Sequence, residues 1–409
     1  MYVGYKHLKL VFKKPLTLPL VILAFPVVVA IRLIRPWLLI RWGRTYSSRI
    51  GHFAGNTEQY LCEQDAGINS PRQRHVDFIS ISRPISNQQL AKMWRRTLHL
   101  WPDWLQAAIN RANWLIPGGA VHRIGQNTSQ DRDVHNLLDR FPPHLIFTAE
   151  EEARGVAGLR LMGIPADIPF VCLISRDSAY LDAQSPRDWS YHNHRDSDIQ
   201  NYVLATEELA NRGYFVVRMG AQVREAIKSR HPKVIDYATN GMRSDFMDVY
   251  LGAKCAFCIS GTAGFEAVPL VFRRPIVFVN VSSLGYIWTS RNQFVVITKR
   301  HYSLTKDREL TVKEIFSFGS GFSLASSEYE SKGIQLIENT PEEIRDAVIE
   351  LVERLSGTWQ PQEDDEALQG KFWEIFPADA KTAEGEPLHG EIRSHFGAEF
   401  LRNNRDWLQ

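Results

Sequence analysis

The chain has 409 residues, 44% of them hydrophobic and 11% aromatic, enough to bury two ordinary cores. Its four cysteines, Cys62, Cys172, Cys255 and Cys258, are too few for a disulfide framework and fit a reducing compartment. The formal net charge of +2 conceals an asymmetry: residues 1–57 carry nine Lys or Arg and no Asp or Glu, so the rest is net acidic. That distribution argues against general nucleic-acid binding and suits attraction to an anionic membrane surface.

The apolar stretch from Pro15 to Ile31 is seventeen residues without a charge, broken by Pro19 and Pro26. It is short for a membrane span, and no small-residue cleavage site of a secretory signal follows it. From Arg32 to Arg44, four arginines alternate with Leu, Ile and Trp. This pattern predicts an amphipathic anchor lying in the headgroup region. Residues 1–45 are therefore expected to form a membrane-associating segment, monotopic or single-pass.

Beyond Arg49 the pattern is α/β. Gly51 to Thr57 is turn-rich, His75 to Ser82 reads as a strand, and Gln88–Leu100, Pro102–Leu115 and Glu150–Met162 read as helices. His144 to Thr148 is a candidate strand. A cleaner βαβ rhythm starts at Pro169. Strands are predicted at 169–175, 214–217, 234–235, 255–259, 275–280 and 294–298, with helices at 199–212, 243–252 and 341–355. Thr340 and Glu343 form a capping-box pattern before the last helix. The tail from Ser356 is acidic and Pro-spotted, with short amphipathic pieces at Phe372-Trp373 and Ile392–Leu401.

The segment from Ala253 to Asn280 carries the most chemistry. Its strand stops at Ser260-Gly261-Thr262-Ala263-Gly264, and a helix follows. Small and glycine residues there leave backbone N–H groups uncovered at a helix N-terminus, where an anion is favoured. The alternative is an ordinary βα turn capped by Ser260 or Thr262. Arg176 and Arg218 also end predicted strands. In a parallel sheet all strand C-termini share one edge, so two guanidiniums and the turn would converge as a diphosphate site, unless each Arg pairs with a nearby carboxylate. Cys255-x-x-Cys258 has zinc or redox spacing without a second pair, and is read as apolar core. Asp131-Arg132-Asp133 and Asp196-Ser197-Asp198 match a metal-binding Asp-x-Asp but end no apolar strand, so no metal site is expected.

ISRDSAYL (174–181), RDSDIQNY (195–202), GYFVVRMG (213–220), ISGTAGFEAVPLVFRRPIVFVN (259–280) and ENTPEEIRDAVIEL (338–351) together resemble a family of bacterial glycosyltransferases associated with surface-polysaccharide synthesis. RIGHFAGNTEQYLCE (49–63) resembles the start of that family's first domain. The resemblance implies a GT-B-like α/β fold of two Rossmann-type domains facing across a cleft. The expected boundaries are 46–165 for the acceptor domain, 166–355 for the donor domain and 356–409 for a helical tail. It implies a nucleotide-sugar donor held at Ser260, Gly261, Thr262 and Gly264, with Glu266 reaching a ribose hydroxyl or stabilising its own helix start.

Cleaving a glycosyl–diphosphate bond develops negative charge on the leaving group, which fixed donors such as Arg176 and Arg218 would stabilise without a metal or cofactor. A general base must be a carboxylate or imidazole facing the acceptor. Asp177 and His52 are the candidates, with His192, His194 and Asp196 behind them. The expected activity is transfer of a sugar to a glycan or lipid-linked acceptor at the cytoplasmic face of the inner membrane. A sugar-nucleotide epimerase and a non-catalytic nucleotide-sugar binding module are the alternatives.

Overall fold

The computed structural model describes residues 18–68, 70–125, 132–184 and 188–409. The first three residues of the expected apolar stretch and the cluster Lys6 to Lys14 lie outside them. The chain divides into two compact units, 1–130 and 131–409.

The first unit begins with helix α1 (Leu18–Ile34), followed by strand β1 (Leu39–Thr45) and helix α2 (Ile50–Asp65). Strand β2 (His75–Ile81), helix α3 (Gln88–Thr97), strand β3 (His99–Pro102) and helix α4 (Asp103–Trp114) complete it. The strands form a parallel sheet in the order β1-β2-β3, with Leu39 opposite His75 and Phe78 opposite His99. Asn87 caps α3 by accepting the Leu90 N–H at 2.9 Å.

Two expectations fail here. Residues 18–45 are part of the folded unit rather than a separate segment: Val21, Ala24, Val28 and Ile31 of α1 pack with Ala108, Ile109 and Ala112 of α4 and with Trp42 of β1. The 39–45 stretch is a strand because Arg41, whose charge suggested a headgroup contact, is buried against Asp77 of the next strand. Its Nε donates to Oδ1 at 2.7 Å, and the Tyr60 hydroxyl bonds the same carboxylate. Among the described residues no helix is long and apolar enough to cross a membrane.

The second unit opens, in regular elements, with helix α5 (Ala149–Leu161), capped by a reciprocal Thr148–Glu151 box. The 144–148 stretch is not a strand. Alternation then runs β4 (Phe170–Ile174), α6 (Ala179–Gln184), α7 (Val203–Asn211), β5 (Phe215–Arg218), β6 (Val234–Ile235), α8 (Asp245–Lys254) and β7 (Cys258–Ser260). Next come α9 (Ala267–Val271), β8 (Ile276–Val281) and β9 (Phe294–Thr298). A small antiparallel sheet, β11 (Arg308–Glu309), β10 (Arg300–Ser303) and β12 (Ile334–Ile337), precedes helix α10 (Pro341–Ser356). The tail supplies α11 (Asp365–Ile375), β13 (His395–Phe396) and α12 (Ala398–Asn403).

Seven strands form one sheet, in the order β13-β9-β8-β7-β4-β5-β6, with every pairing parallel. Strands β4, β7, β8 and β9 are buried along their whole lengths, as helices on both faces of a parallel sheet require. Helix α5, expected with the first domain, belongs here because two glycines let it lie close on α8. A Cβ on Gly155 would stand 2.1 Å from the Tyr250 ring, and one on Gly158 2.4 Å from Met247 Sδ. The tail is not a separate appendage either: β13 extends the sheet beside β9, and Phe372 packs 4.2 Å from Phe396 and 5.8 Å from Trp407, ring to ring. Cys172, Cys255 and Cys258 are free and fully buried, as apolar core residues.

Candidate active site at the sheet switch point

From β4 the chain steps to β5 and β6 on one side, then crosses back to lay β7, β8 and β9 on the other. The strand order therefore reverses between β4 and β7. In open parallel sheets the loops leaving two such strands diverge to opposite faces and open a crevice at their carboxyl ends. Here those loops are Ser175–Ser178 and Gly261–Glu266.

The two loops are tied together at their roots. The Gly261 N–H donates to the Ile174 carbonyl at 2.8 Å. A Cβ on Gly261 would sit 2.9 Å from Tyr202 Oη and 3.2 Å from Ser197 Oγ, so only glycine fits. Thr262 has φ +58° and Gly264 φ +96°, which coil the turn tightly. Ser260 Oγ accepts the Thr262 N–H at 3.0 Å, and Glu266 Oε2 accepts the Gly264 N–H at 2.6 Å.

These last two bonds change the expected role of the turn. Helix α9 is only five residues long; two N–H groups of the turn before it, Thr262 and Gly264, are engaged by Ser260 and Glu266, and its own first two, Ala267 and Val268, donate to the Gly264 and Phe265 carbonyls. Glu266 is buried and stabilises its own helix start instead of reaching outward. Burial raises its pKa, opposed by its own backbone N–H, Arg195 and Gly264.

The arginines divide. Arg218, at the end of β5, is 1% exposed and committed through both terminal nitrogens, although its buried Nε has no hydrogen-bond partner: Nη1 donates to Asp236 Oδ1 at 3.2 Å and Nη2 to the Glu225 carbonyl at 3.2 Å. It is a strut holding the loop before β6, not an open donor, because Asp236 arrives at the same sheet edge. Arg176, 8% exposed, is different. Its Nε lies 3.2 Å from Asp196 Oδ1, close enough for an ion pair, yet Nε, Nη2 and that oxygen are not aligned in any hydrogen bond. Burial lowers its pKa to about 10, helped by Arg195 and resisted by Asp196, Asp177 and Glu266. Burial raises that of Asp196, against Arg176, Arg224 and Lys299.

Three cations missed by sequence reasoning stand here. Lys299, at the end of β9, is buried, with Nζ donating to the Asp196 carbonyl and 3.9 Å from Glu338. Arg195 donates to the Thr262 carbonyl, and Arg224 to Ser178 Oγ. The legible signal for Lys299 was its place directly after a fully apolar strand.

Asp177 is engaged through both oxygens, Oδ1 accepting the Ala179 N–H and Oδ2 the Arg224 N–H, each at 2.9 Å. His194 is buried, and its pKa is lowered to about 4 by burial and then by Arg195; its Nδ1 lies 3.1 Å from the Tyr191 carbonyl. His192 packs on Tyr191 with ring centroids 3.9 Å apart. Asp198 caps the turn that follows it, through the Gln200 N–H at 2.8 Å, and Asp133 accepts the Leu137 and Leu138 N–H groups. His52 belongs to the first unit, in the first turn of α2 just beyond β1. Its Nδ1 lies 3.3 Å from Asn56 Oδ1.

No protein-family model and no curated protein matches the chain. Among solved structures it is similar to E. coli ADP-heptose lps heptosyltransferase II, at 13% identity and TM-score 0.40, covering 78% of this chain and 100% of that one. It is also similar to a glycosyl transferase family 9 protein from Veillonella parvula DSM 2008, at 10% identity and TM-score 0.42, covering 64% of this chain and 86% of that one. The iron-containing dodecameric glycosyltransferase TibC of enterotoxigenic E. coli matches at 13% identity and TM-score 0.28, over 61% of this chain and 59% of that one. Likenesses this distant do not transfer an activity to the chain.

Proposed function

We propose that the chain is a GT-B-type glycosyltransferase that holds a nucleotide-sugar donor at the switch point between β4 and β7. One observation carries the reading: Arg176, buried at that reversal and beside the Gly261 turn, keeps two guanidinium nitrogens without a hydrogen-bond partner. A diphosphate presents the paired anionic oxygens that a guanidinium binds best. The blocks of sequence resembling surface-polysaccharide glycosyltransferases surround the same turn.

Around it, the carboxylates of Asp177, Asp196, Glu266 and Glu338 face the cations of Arg176, Arg195, Arg224 and Lys299. A diphosphate must displace one carboxylate to bind there. Asp196, near Arg176 but aligned with none of its N–H groups, is the one it displaces. Arg176 and Lys299 then stabilise the charge that grows on the leaving diphosphate. Asp177, which accepts backbone N–H groups through both oxygens, and His52 of the first unit remain the two candidates for the base.

The acceptor in this reading is a glycan or lipid-linked saccharide at the cytoplasmic face of the inner membrane, in keeping with the basic N-terminal stretch. Incubation with labelled nucleotide-sugars and a membrane extract tests it. Label must move to lipid or glycan; isomerised free donor, or binding without turnover, overturns the transferase.

A further inference from the structure

Helix α1 buries one stripe in the first unit, and the remainder of its surface is also apolar. Leu23 and Leu33 are each 69% exposed and Ile22 63%, with no charge between Leu18 and Ile31. A helix apolar all round belongs in a protein core or in lipid. The helix packed beneath it continues the surface: Trp104 and Leu115 of the α4 region are exposed, and Trp37, just past α1, is 75% exposed.

At the C-terminal end of α1, burial and then nearby Arg35 lower the pKa of Arg32. Among the described residues neither forms an ion pair with a carboxylate. Arg32 is held by Asn113 Oδ1 at 3.1 Å and the Ile116 carbonyl at 3.0 Å, at the end of α4.

We propose that the paired α1–α4 surface docks in the plane of an anionic lipid bilayer, with the aliphatic residues in the acyl region and Trp37, Arg32 and Arg35 at the headgroups. This deepens the membrane-side reading above and uses none of the donor-site residues. The seventeen described residues of α1 span roughly 25 Å, and their buried stripe on Ala108, Ile109 and Ala112 of α4 keeps the helix along the surface of its unit. A second copy is a poorer occupant, because a two-fold contact would bring the arginine pairs of both copies to one interface. Anionic headgroups neutralise them instead.

Sedimentation of the full chain with vesicles of phosphatidylcholine, with and without phosphatidylglycerol, tests this. The protein should bind the mixed vesicles and stay bound in high salt. The pair Leu23→Gln and Leu33→Gln should weaken partitioning by at least about tenfold, and so should Trp104→Ser with Leu115→Ser. Arg35→Ser should weaken it severalfold on anionic vesicles alone. If a variant fails to fold, quenching of wild-type tryptophan fluorescence by brominated lipid replaces it and must be seen. Three results overturn the proposal: wild type that ignores vesicles, α4 variants that bind as wild type does, or variants that lose a dimer while keeping vesicle binding. The nucleotide melting shift of every variant should equal that of wild type, so failure of the donor reading is seen separately.

Discussion

Arg176 Nε lies 3.2 Å from Asp196 Oδ1, but the two do not align as a hydrogen bond, and Arg176 Nη2 also lacks a partner. The loop carrying Asp196 is pinned by the Ser197 N–H to the Arg176 carbonyl at 3.0 Å and by Ser175 Oγ to the Ser197 carbonyl at 3.0 Å. The carboxylate is thus held near the guanidinium by its backbone, and an anion with freer geometry can outcompete it.

Nucleoside diphosphates should therefore raise the melting temperature, because any ligand of the native state must. A screen of UDP, GDP, ADP and TDP, with the monophosphate CMP beside them, identifies the nucleobase. Asp196→Asn should tighten the best binder by roughly three- to tenfold, and Arg176→Ala should abolish the shift. Unchanged or weaker binding in Asp196→Asn would show that Asp196 does not occupy the anion's place.

Arg218→Ala should act on folding. Removing the guanidinium leaves Asp236, with a side chain 14% exposed, only the Ile227 N–H at 3.1 Å, at a cost of about 1–3 kcal/mol. The melting temperature should drop, while nucleotide binding measured well below it survives. Lost binding without lost stability would return Arg218 to the donor site.

The division between these two arginines shows where the sequence stops being informative. Both end apolar runs, and both carboxylate partners lie about twenty residues onward in loops without periodicity. Nothing local says that Asp236 is aligned with its arginine and Asp196 is not. The core of the large sheet was legible because β4, β8 and β9 are continuous apolar runs, as strands buried on both faces must be. Strand β1 was not, since Arg41 is tolerated only through Asp77, 36 residues away. Strand β13 was not, because two residues pair with β9 and no period can show in two. The sequence puts the glycine turn directly after a strand, where β7 ends, but nothing local shows that Ser260 and Glu266 engage two of its N–H groups.

Gly261→Ala should be disproportionately costly for so small a change. The new methyl meets Tyr202 Oη at 2.9 Å, and Tyr202 is fully buried and 3.3 Å from Asn280 Nδ2, so it has nowhere to go. Overpacking of this kind costs roughly 1–3 kcal/mol. Denaturant unfolding should show that loss together with a weakened nucleotide shift, whereas a neutral substitution would mean the loops at β4 and β7 separate freely.

Asp248 gives a pH signature. Burial pushes its carboxyl up to about 6, although Arg243 Nη2 is 2.7 Å away and lowers it. The folded value lies above the unfolded one of about 3.9. The folded state therefore binds more protons between the two, and stability is lost as pH rises from about 4 through 6. Asp248→Asn removes that dependence. Its stability relative to wild type should improve by about 2 kcal/mol between pH 4 and pH 7.5. A parallel pair of pH profiles would place the carboxyl in its ordinary range.

The base assignment separates by comparing two substitutions. Asp177 accepts two backbone N–H groups, one at the start of α6 and one from Arg224, so its negative charge holds loops together. Asp177→Asn keeps the shape but offers an amide where one of those N–H groups needs an acceptor, and should cost stability and some donor affinity. Among the described residues the one hydrogen-bond partner of His52 is Asn56 Oδ1, on its Nδ1, and its ring lies 5.8 Å from that of Tyr46. His52→Ala should reduce turnover by about 10²–10⁴-fold, with the nucleotide melting shift intact. If His52→Ala turns over normally while Asp177→Asn loses turnover without losing stability, the roles are reversed and the carboxylate is the base.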